Sequence, residues 1–182
     1  MIGSNPSEFN ATGNGNRPVE KVNWTEAVAF CTQLTTQEQA AGRLPAGWAY
    51  VLPTESQWEY ACRAGTTTAY SWGNTIASSN ANWNHGADPN QTVDVGQFSA
   101  NPWGFFDMHG NVWEWTADWY QEAYPIGNPV ADPSGPASGS VRVRRGGSWY
   151  HDGTYLRSAK RSHHTPGDRV SGIGFRVGFQ QQ

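Results

Sequence analysis

The chain has 182 residues and a formal net charge of −3, from 12 basic and 15 acidic residues. This length suits one sizeable domain with its own core. Ten tryptophans, seven tyrosines and seven phenylalanines favour a ring-packed interior and exclude a disordered, collagen-like or coiled-coil chain. Without a basic excess, we expect no nucleic-acid partner. No apolar run approaches the roughly 20 residues of a membrane span, and the polar residues 1–10 contain no visible secretory signal.

Two capping boxes predict two helices in the first third of the chain. Asn23 is followed three residues later by Glu26, and Thr54 is followed three residues later by Gln57. In this pattern the first side chain accepts a backbone hydrogen bond and the second returns one, so each pair marks a helix start. The expected ends of the two helices are at Gly42 and Gly65.

The rest of the chain predicts loops and short strands. Residues 66–140 are rich in Gly, Asn, Pro, Ser and aromatic residues, and long loops of this kind usually carry function or depend on a ligand. Four segments are predicted as strands: Val112–Thr116, Val141–Arg145, Ser148–Tyr150 and Ile173–Phe179. No internal repeat or second boundary is visible, so residues 1–182 form a single α+β domain in this interpretation.

The two cysteines, Cys31 and Cys62, are too few for a disulfide scaffold. Both lie in the predicted helices. Their roles stay open between buried free thiols, one disulfide and a redox pair.

Several short strings, taken in order, resemble the formylglycine-generating enzyme, or sulfatase-modifying factor, family. The resemblance runs from about Ser4 to Val177. The strings are Pro18–Trp24, Arg43–Pro45, Leu52–Ala61, Trp72–Asn74, Ala81–Trp83, Asn101–Trp115, Arg144–Trp149 and Gly174–Arg176.

This resemblance implies a variant of the C-type-lectin-like fold, with two short helices, small antiparallel sheets and long packed loops. Family members have an N-terminal strand region before the segment that corresponds to Ser4–Ser7, and the chain shows no such region. We therefore expect a sheet edge that a partner can cover, because unpaired strand edges invite pairing.

Enzymatic members of the family activate oxygen at a copper ion held by two cysteine thiolates, which are soft ligands suited to copper(I). Those cysteines follow the Gly-Gly-Ser-Trp string. The corresponding stretch here, Tyr150–Arg161, contains no cysteine. We therefore expect no copper and no formylglycine generation.

The resemblance also implies structural calcium. Calcium takes six to eight oxygen ligands from carboxylates and backbone carbonyls, and the residues that match the family's site are Asp107, Gly110, Val112 and Glu114. The alternative for Glu114 is a turn cap or a pair with an arginine. A weaker second site would use Asn82 and Trp83 with Asp88 or Asp94.

The segment 150–172 is rich in Tyr, His, Asp, Ser and Thr, which is the composition of adaptable binding surfaces. It is also similar to the C-terminal variable region of retroelement-diversified proteins, which are built on the same lectin-like scaffold. The predicted ligand-binding residues are Tyr150, His151, Asp152, Tyr155, Arg157, Ser162, His163 and His164. The alternative for this segment is an ordinary loop surface.

Two functions follow from these observations. The preferred one is a non-catalytic, calcium-stabilised domain, similar to bacterial family members, that binds a protein or other ligand through residues 150–172. The alternative is an oxygen-dependent oxidoreductase, of the formylglycine-generating type or of the type associated with sulfoxide synthases. That alternative needs another metal-ligand set, such as His151 with His163.

Overall fold

The structure, a computed structural model, describes residues 4–11, 13, 15–86, 90–123 and 131–182. The described elements are helices α1 (Trp24–Ala40) and α2 (Glu55–Arg63) and strands β1 (Trp48–Val51), β2 (Trp113–Trp119), β3 (Arg142–Arg145), β4 (Ser162–His164), β5 (Ile173–Phe175) and β6 (Gly178–Gln181), with a 3₁₀ turn at Gly153–Leu156. The fold is α+β, as the sequence predicts. Within the described ranges, neither helix combines the length and apolar character that crossing a membrane requires.

Both predicted capping boxes form. The Asn23 side chain accepts a hydrogen bond from the Glu26 backbone while the Glu26 carboxylate accepts one from the Asn23 backbone, and Thr54 and Gln57 do the same at the start of α2. These reciprocal bonds satisfy backbone donors that have no partner inside a helix.

The strands form two sheets. Four strands make a mixed sheet in the order β4-β3-β2-β5, in which only the β2–β5 pair is parallel, and β1 pairs antiparallel with β6 in a separate two-stranded sheet. Helix α1 packs on one face of the four-stranded sheet, where Trp24 donates its indole N–H to the Thr116 carbonyl of β2. Helix α2 contacts β2 and β3, so the central strands are enclosed by the helices.

Two predicted strands are wrong. Ser148–Tyr150 forms a turn, because Gly146 and Gly147 adopt positive φ angles of 97° and 78° that end the extended run. Ile173–Phe179 divides into β5 and β6, which belong to different sheets, and Arg176 lies at the break. Strands β1 and β4 were not predicted, since four and three residues are too few for a visible alternation.

Candidate functional site

Three of the predicted ligand-binding residues pack against one another. We call Tyr150, His151 and Tyr155 the tyrosine–histidine cluster. The His151 ring centroid lies 4.2 Å from that of Tyr150 and 4.6 Å from that of Tyr155. All three side chains are partly exposed, so the rings contact one another and also present part of their surface to solvent.

The backbone around the cluster is held by a tight turn and a short 3₁₀ turn. Gly147 has a φ of +78°, and a Cβ placed on it would lie 2.6 Å from Leu156 Cδ1 and 3.0 Å from the Tyr155 carbonyl oxygen. Asp152 caps the 3₁₀ turn by accepting a hydrogen bond from the Thr154 N–H at 2.8 Å. A glycine at 147 is therefore what lets the segment that carries Tyr155 fold back onto the core.

Basic side chains border the cluster. The Lys160 ammonium lies 4.8 Å from the Tyr155 ring centroid, and the Arg144 guanidinium lies 4.8 Å from the ring centroid of Trp113 beneath His151. Burial lowers the pKa of Arg144, and the neighbouring Tyr150 hydroxyl offsets part of this shift. Asp152 adds one negative charge beside His151, so the two basic side chains leave the surroundings of the cluster positive on balance.

His151 is held in its neutral form. Its Nδ1 atom accepts a hydrogen bond from the Trp113 indole N–H at 3.2 Å and lies 2.9 Å from the Ser148 hydroxyl. Burial, together with the Arg144 and Lys160 charges, lowers the pKa of His151 to about 4, although Asp152 opposes the shift. The imidazole is therefore an uncharged aromatic contact at neutral pH.

The remaining predicted ligand-binding residues are distributed around the sheet. Ser162 joins the cluster through Arg144, whose Nε donates to its hydroxyl at 3.3 Å. His163 is on the opposite face of the sheet, with its ring centroid 4.4 Å from that of Tyr120. His164 pairs with Asp168 at 3.1 Å, and exposed Arg157 donates to the Thr154 carbonyl. The structure thus does not bring His151 and His163 together.

The two cysteines are free and buried. Cys31 belongs to the buried hydrophobic core that includes Trp113 and Trp115 of β2. Cys62 belongs to a separate group of buried side chains with Trp58 and Met108. Burial raises the pKa of Cys31 to about 11 and that of Cys62 to about 12. Both thiols are therefore protonated at neutral pH, and neither has the low pKa of a reactive cysteine.

The predicted calcium ligands line one cavity. Asp107, Gly110, Val112 and Glu114 all border a space of about 410 Å³ whose outer wall includes Phe105 and Phe106. Asp107 Oδ2 accepts a hydrogen bond from the Gly96 N–H at 2.7 Å. Burial raises the pKa of Asp107.

Glu114 pairs with an arginine, the alternative that the sequence left open. Arg176 donates from Nε and Nη2 to the two Glu114 oxygens at 2.7 Å each, and Trp58 donates its indole N–H to Oε2 at 2.6 Å. A carboxylate accepts about four hydrogen bonds, and these contacts use three. One acceptor position on Oε1 remains unused by these contacts.

The weaker second calcium site is only partly described, because Asp88 lies outside the described residues. The Asn82 amide donates to the Gln91 carbonyl and to Asn111 Oδ1, while the Asn82 carbonyl accepts from the Asn111 N–H. The Trp83 indole donates to the Ala77 carbonyl. Asn82 therefore connects with the loop of the first site through Asn111.

Sequence reasoning did not assign roles to Trp58 and Arg176, although both occur in the family-like strings. A buried carboxylate needs partners of opposite charge or hydrogen-bond donors. If Glu114 is buried, this rule predicts such partners but does not say which residues they are. Trp58 and Arg176 are 56 and 62 residues from Glu114 in sequence, so no local sequence pattern could predict these contacts.

Comparison with known proteins gives relatives over nearly the whole chain. Residues 3–180 match the sulfatase-modifying factor enzyme 1-like domain. The formylglycine-generating enzyme of Mus musculus is 36% identical over 88% of the chain and 44% of its own length. A second Mus musculus protein, inactive C-alpha-formylglycine-generating enzyme 2, is 32% identical over 87% of the chain and 48% of its own length. The chain thus spans about half the length of the curated relatives it matches.

Among solved structures, Treponema denticola variable protein 1 superposes with a TM-score of 0.87 and 33% identity, over 100% of this chain and 79% of that one. The sequence match and this superposition agree on the scaffold. The chain belongs to the sulfatase-modifying factor enzyme 1-like domain family.

Proposed function

We propose that the chain is a non-catalytic ligand-binding domain that presents the tyrosine–histidine cluster as its binding face. One observation carries the proposal. The stretch after Gly-Gly-Ser-Trp carries packed, partly exposed aromatic side chains and no cysteine, while Cys31 and Cys62 lie in separate buried clusters. The family's thiolate chemistry therefore has no matching residues in this stretch, which supports a binding role for the aromatic side chains there.

The chemistry of the face favours a ligand with acidic or aromatic groups. Lys160 and Arg144 supply positive charge, Arg157 is exposed nearby, and His151 adds no charge at neutral pH. Tyrosine supplies large contact area at low entropic cost. The likeness to a variable protein supports a face whose residues differ between copies, so we infer that residues 150–172 are the diversified segment.

The binding face is tested with purified protein on arrays of proteins and acidic glycans. We compare the wild type with the variant in which Tyr150, His151 and Tyr155 are all replaced by Ala. His163→Ala is the matched control, because His163 belongs to the same segment but lies on the other sheet face. The proposal predicts signals that the triple variant loses at least ten-fold and the control keeps. Signals retained by the triple variant would contradict it.

The alternative oxidoreductase function gains no specific support. Within the described part of the chain, no three His, Cys, Asp or Glu side chains are grouped to hold a metal. His151 and His163 lie on opposite faces of the sheet. Oxygen uptake with a sulfatase peptide and copper tests this alternative, and we expect none above the protein-free rate.

We further propose that calcium binds in the Asp107–Glu114 cavity. Asp107 and Glu114 would supply carboxylate oxygens, and Gly110 and Val112 would supply carbonyl oxygens, which are the ligands calcium prefers. The free acceptor position on Glu114 and the burial of Asp107 support this fit. Bound calcium would neutralise the Asp107 carboxylate, since Arg176 already neutralises Glu114, and would hold the loop that leads into β2.

Thermal melts with calcium and with a chelator test the site. A ligand present at 100 times its Kd stabilises by about 2.7 kcal/mol, so calcium should raise the Tm by several degrees. Asp107→Asn should abolish this response, while Asp94→Asn, a change at the weaker second site, should retain it. An equal response in wild type and Asp107→Asn would refute the assignment.

A further inference from the structure

The hydrogen bonds at His151 fix which of its two ring nitrogens carries the proton. Nδ1 lies 3.2 Å from the Trp113 indole nitrogen and 2.9 Å from the Ser148 hydroxyl oxygen. An indole N–H can only donate a hydrogen bond, and Trp113 is fully buried. A proton on Nδ1 would face this N–H and leave a buried donor without an acceptor. Nδ1 is therefore the acceptor, and the neutral imidazole carries its proton on Nε2.

The Nε2 atom of His151 is open to solvent. It has no hydrogen-bond partner among the described residues, and it is not one of the buried polar atoms that lack a partner. Turning the ring over would break both Nδ1 contacts, and Tyr150 and Tyr155 pack against the ring at centroid distances of 4.2 and 4.6 Å. The tyrosine–histidine cluster therefore presents a fixed, uncharged N–H donor, which requires an acceptor on the ligand.

Two basic side chains beside this donor have no carboxylate in direct contact. The Lys160 ammonium lies 4.8 Å from the Tyr155 ring centroid, and Arg144 donates to the Ser162 hydroxyl. Among the described residues, neither basic group has an Asp or Glu oxygen within ion-pair distance. Their charges therefore favour an acceptor that is itself negative.

The charge balance around His151 favours a single negative charge on the ligand. The charged side chains that act on the imidazole are Arg144, Lys160 and Asp152. Asp152 also accepts hydrogen bonds from the Thr154 N–H at 2.8 Å and the Thr154 hydroxyl at 2.5 Å. Two basic groups against one acidic group leave one net positive charge. A carboxylate balances this charge, whereas a phosphate dianion brings a second negative charge that Asp152 repels.

We propose that the Nε2 N–H of His151 donates a hydrogen bond to an Asp or Glu carboxylate of a protein ligand, whose charge Lys160 and Arg144 attract. The ligand is a protein because tyrosine-rich surfaces of this kind are typical of paratopes that bind proteins. This role, which rests on the proposed function of the tyrosine–histidine cluster, makes His151 the specificity-determining residue of the face.

The position of the proton is tested in the free protein. A long-range proton–nitrogen NMR spectrum of the nitrogen-15-labelled chain at neutral pH distinguishes ring nitrogens with and without a proton. The His151 signals are identified by their absence from the spectrum of His151→Gln. We expect a proton on Nε2 and none on Nδ1. A proton on Nδ1, or on both nitrogens, would overturn the proposal without bearing on the binding face.

The ligand group is tested with binders from a phage-displayed library of random twelve-residue peptides. Selection on the wild type should enrich peptides that share an Asp or Glu. A hydrogen bond to a charged group contributes about ten-fold or more to affinity. Alanine in place of that acidic residue should therefore weaken binding at least about ten-fold, and so should His151→Phe, which keeps a ring and lacks the N–H. His151→Gln, whose amide N–H lies near the position of Nε2, should bind within about three-fold of the wild type.

The variants separate this role from the binding face itself. Peptides that bind His151→Phe as tightly as the wild type, or that share no acidic residue, would overturn the carboxylate assignment. Equal losses in His151→Gln and His151→Phe would also overturn it, because the ring and not its N–H would then be required. Tighter binding after phosphoserine replaces the acidic residue would assign the site to a dianion instead. A selection that enriches nothing, or binders that the triple Ala variant retains, would contradict the binding face and this role with it.

Discussion

Replacing Gly147 with Ala should destabilise the protein and displace the tyrosine–histidine cluster. The new Cβ would lie 2.6 Å from Leu156 Cδ1, and Gly147 has a φ of +78°. Left-handed backbone costs a residue with a Cβ about 1–2 kcal/mol, and overpacking a tight core costs about 1–3 kcal/mol. The sum is about 2–5 kcal/mol. For a chain of this size, each kcal/mol lowers the Tm by about 2–4 °C.

Thermal and urea denaturation measure this effect. Gly167→Ala is the matched control, because Gly167 has no atom within 4 Å of the added Cβ and no positive φ, and we expect its stability to change by less than about 0.5 kcal/mol. The reasoning is refuted if Gly147→Ala melts within about 2 °C of the wild type. The folded variant should also lose array binding, since Tyr155 can no longer occupy its position.

Three further predictions concern buried groups. Arg145 is fully buried and pairs with Glu59 and Glu55, so Arg145→Met should lower the free energy of unfolding by about 3–5 kcal/mol, and a loss below about 1 kcal/mol in urea titrations would contradict this pairing. Because the pKa values of Cys31 and Cys62 are raised to about 11 and 12, alkylation of the native protein at pH 8 should be at least about 100-fold slower than in urea, and equal rates by mass spectrometry would show otherwise. The pKa of His151 falls from 6.5 to about 4 on folding. Between pH 6.5 and pH 4 the imidazole is therefore protonated in the unfolded chain and neutral in the folded chain. The free energy of unfolding should consequently fall as the pH drops from 6.5 towards 4. His151→Asn, measured beside the wild type, should remove about 1–2 kcal/mol of that loss, and parallel pH profiles would exclude the assigned shift.

The local parts of the fold could be predicted from sequence, and the long-range parts could not. The capping boxes at Asn23 and Thr54 are local hydrogen-bond patterns, and both helices begin where they indicate. The break between β5 and β6 depends on which sheet each strand joins, a contact between distant segments that no short window contains. Hydrophobic alternation alone therefore joined the two strands into one.

The candidate site shows the same division. The order of the family-like strings is enough to assign the family. The composition of residues 150–172 is the feature that predicts a ligand-binding role for this segment. Which members of that segment meet is decided by the sheet: His163 follows Ser162 directly in sequence, yet it points to the opposite face, because side chains alternate along a strand. The calcium assignment and the binding role of the face stay predictions.

Hydroxyl-radical footprinting with a ligand from the arrays tests the central claim most directly. Modification of each side chain is measured by mass spectrometry in the free and bound protein. The proposed binding face predicts protection of Tyr150, His151 and Tyr155, with His163 and Tyr60 modified equally in both states. Protection confined to other residues, with the tyrosine–histidine cluster unchanged, would contradict the proposed function.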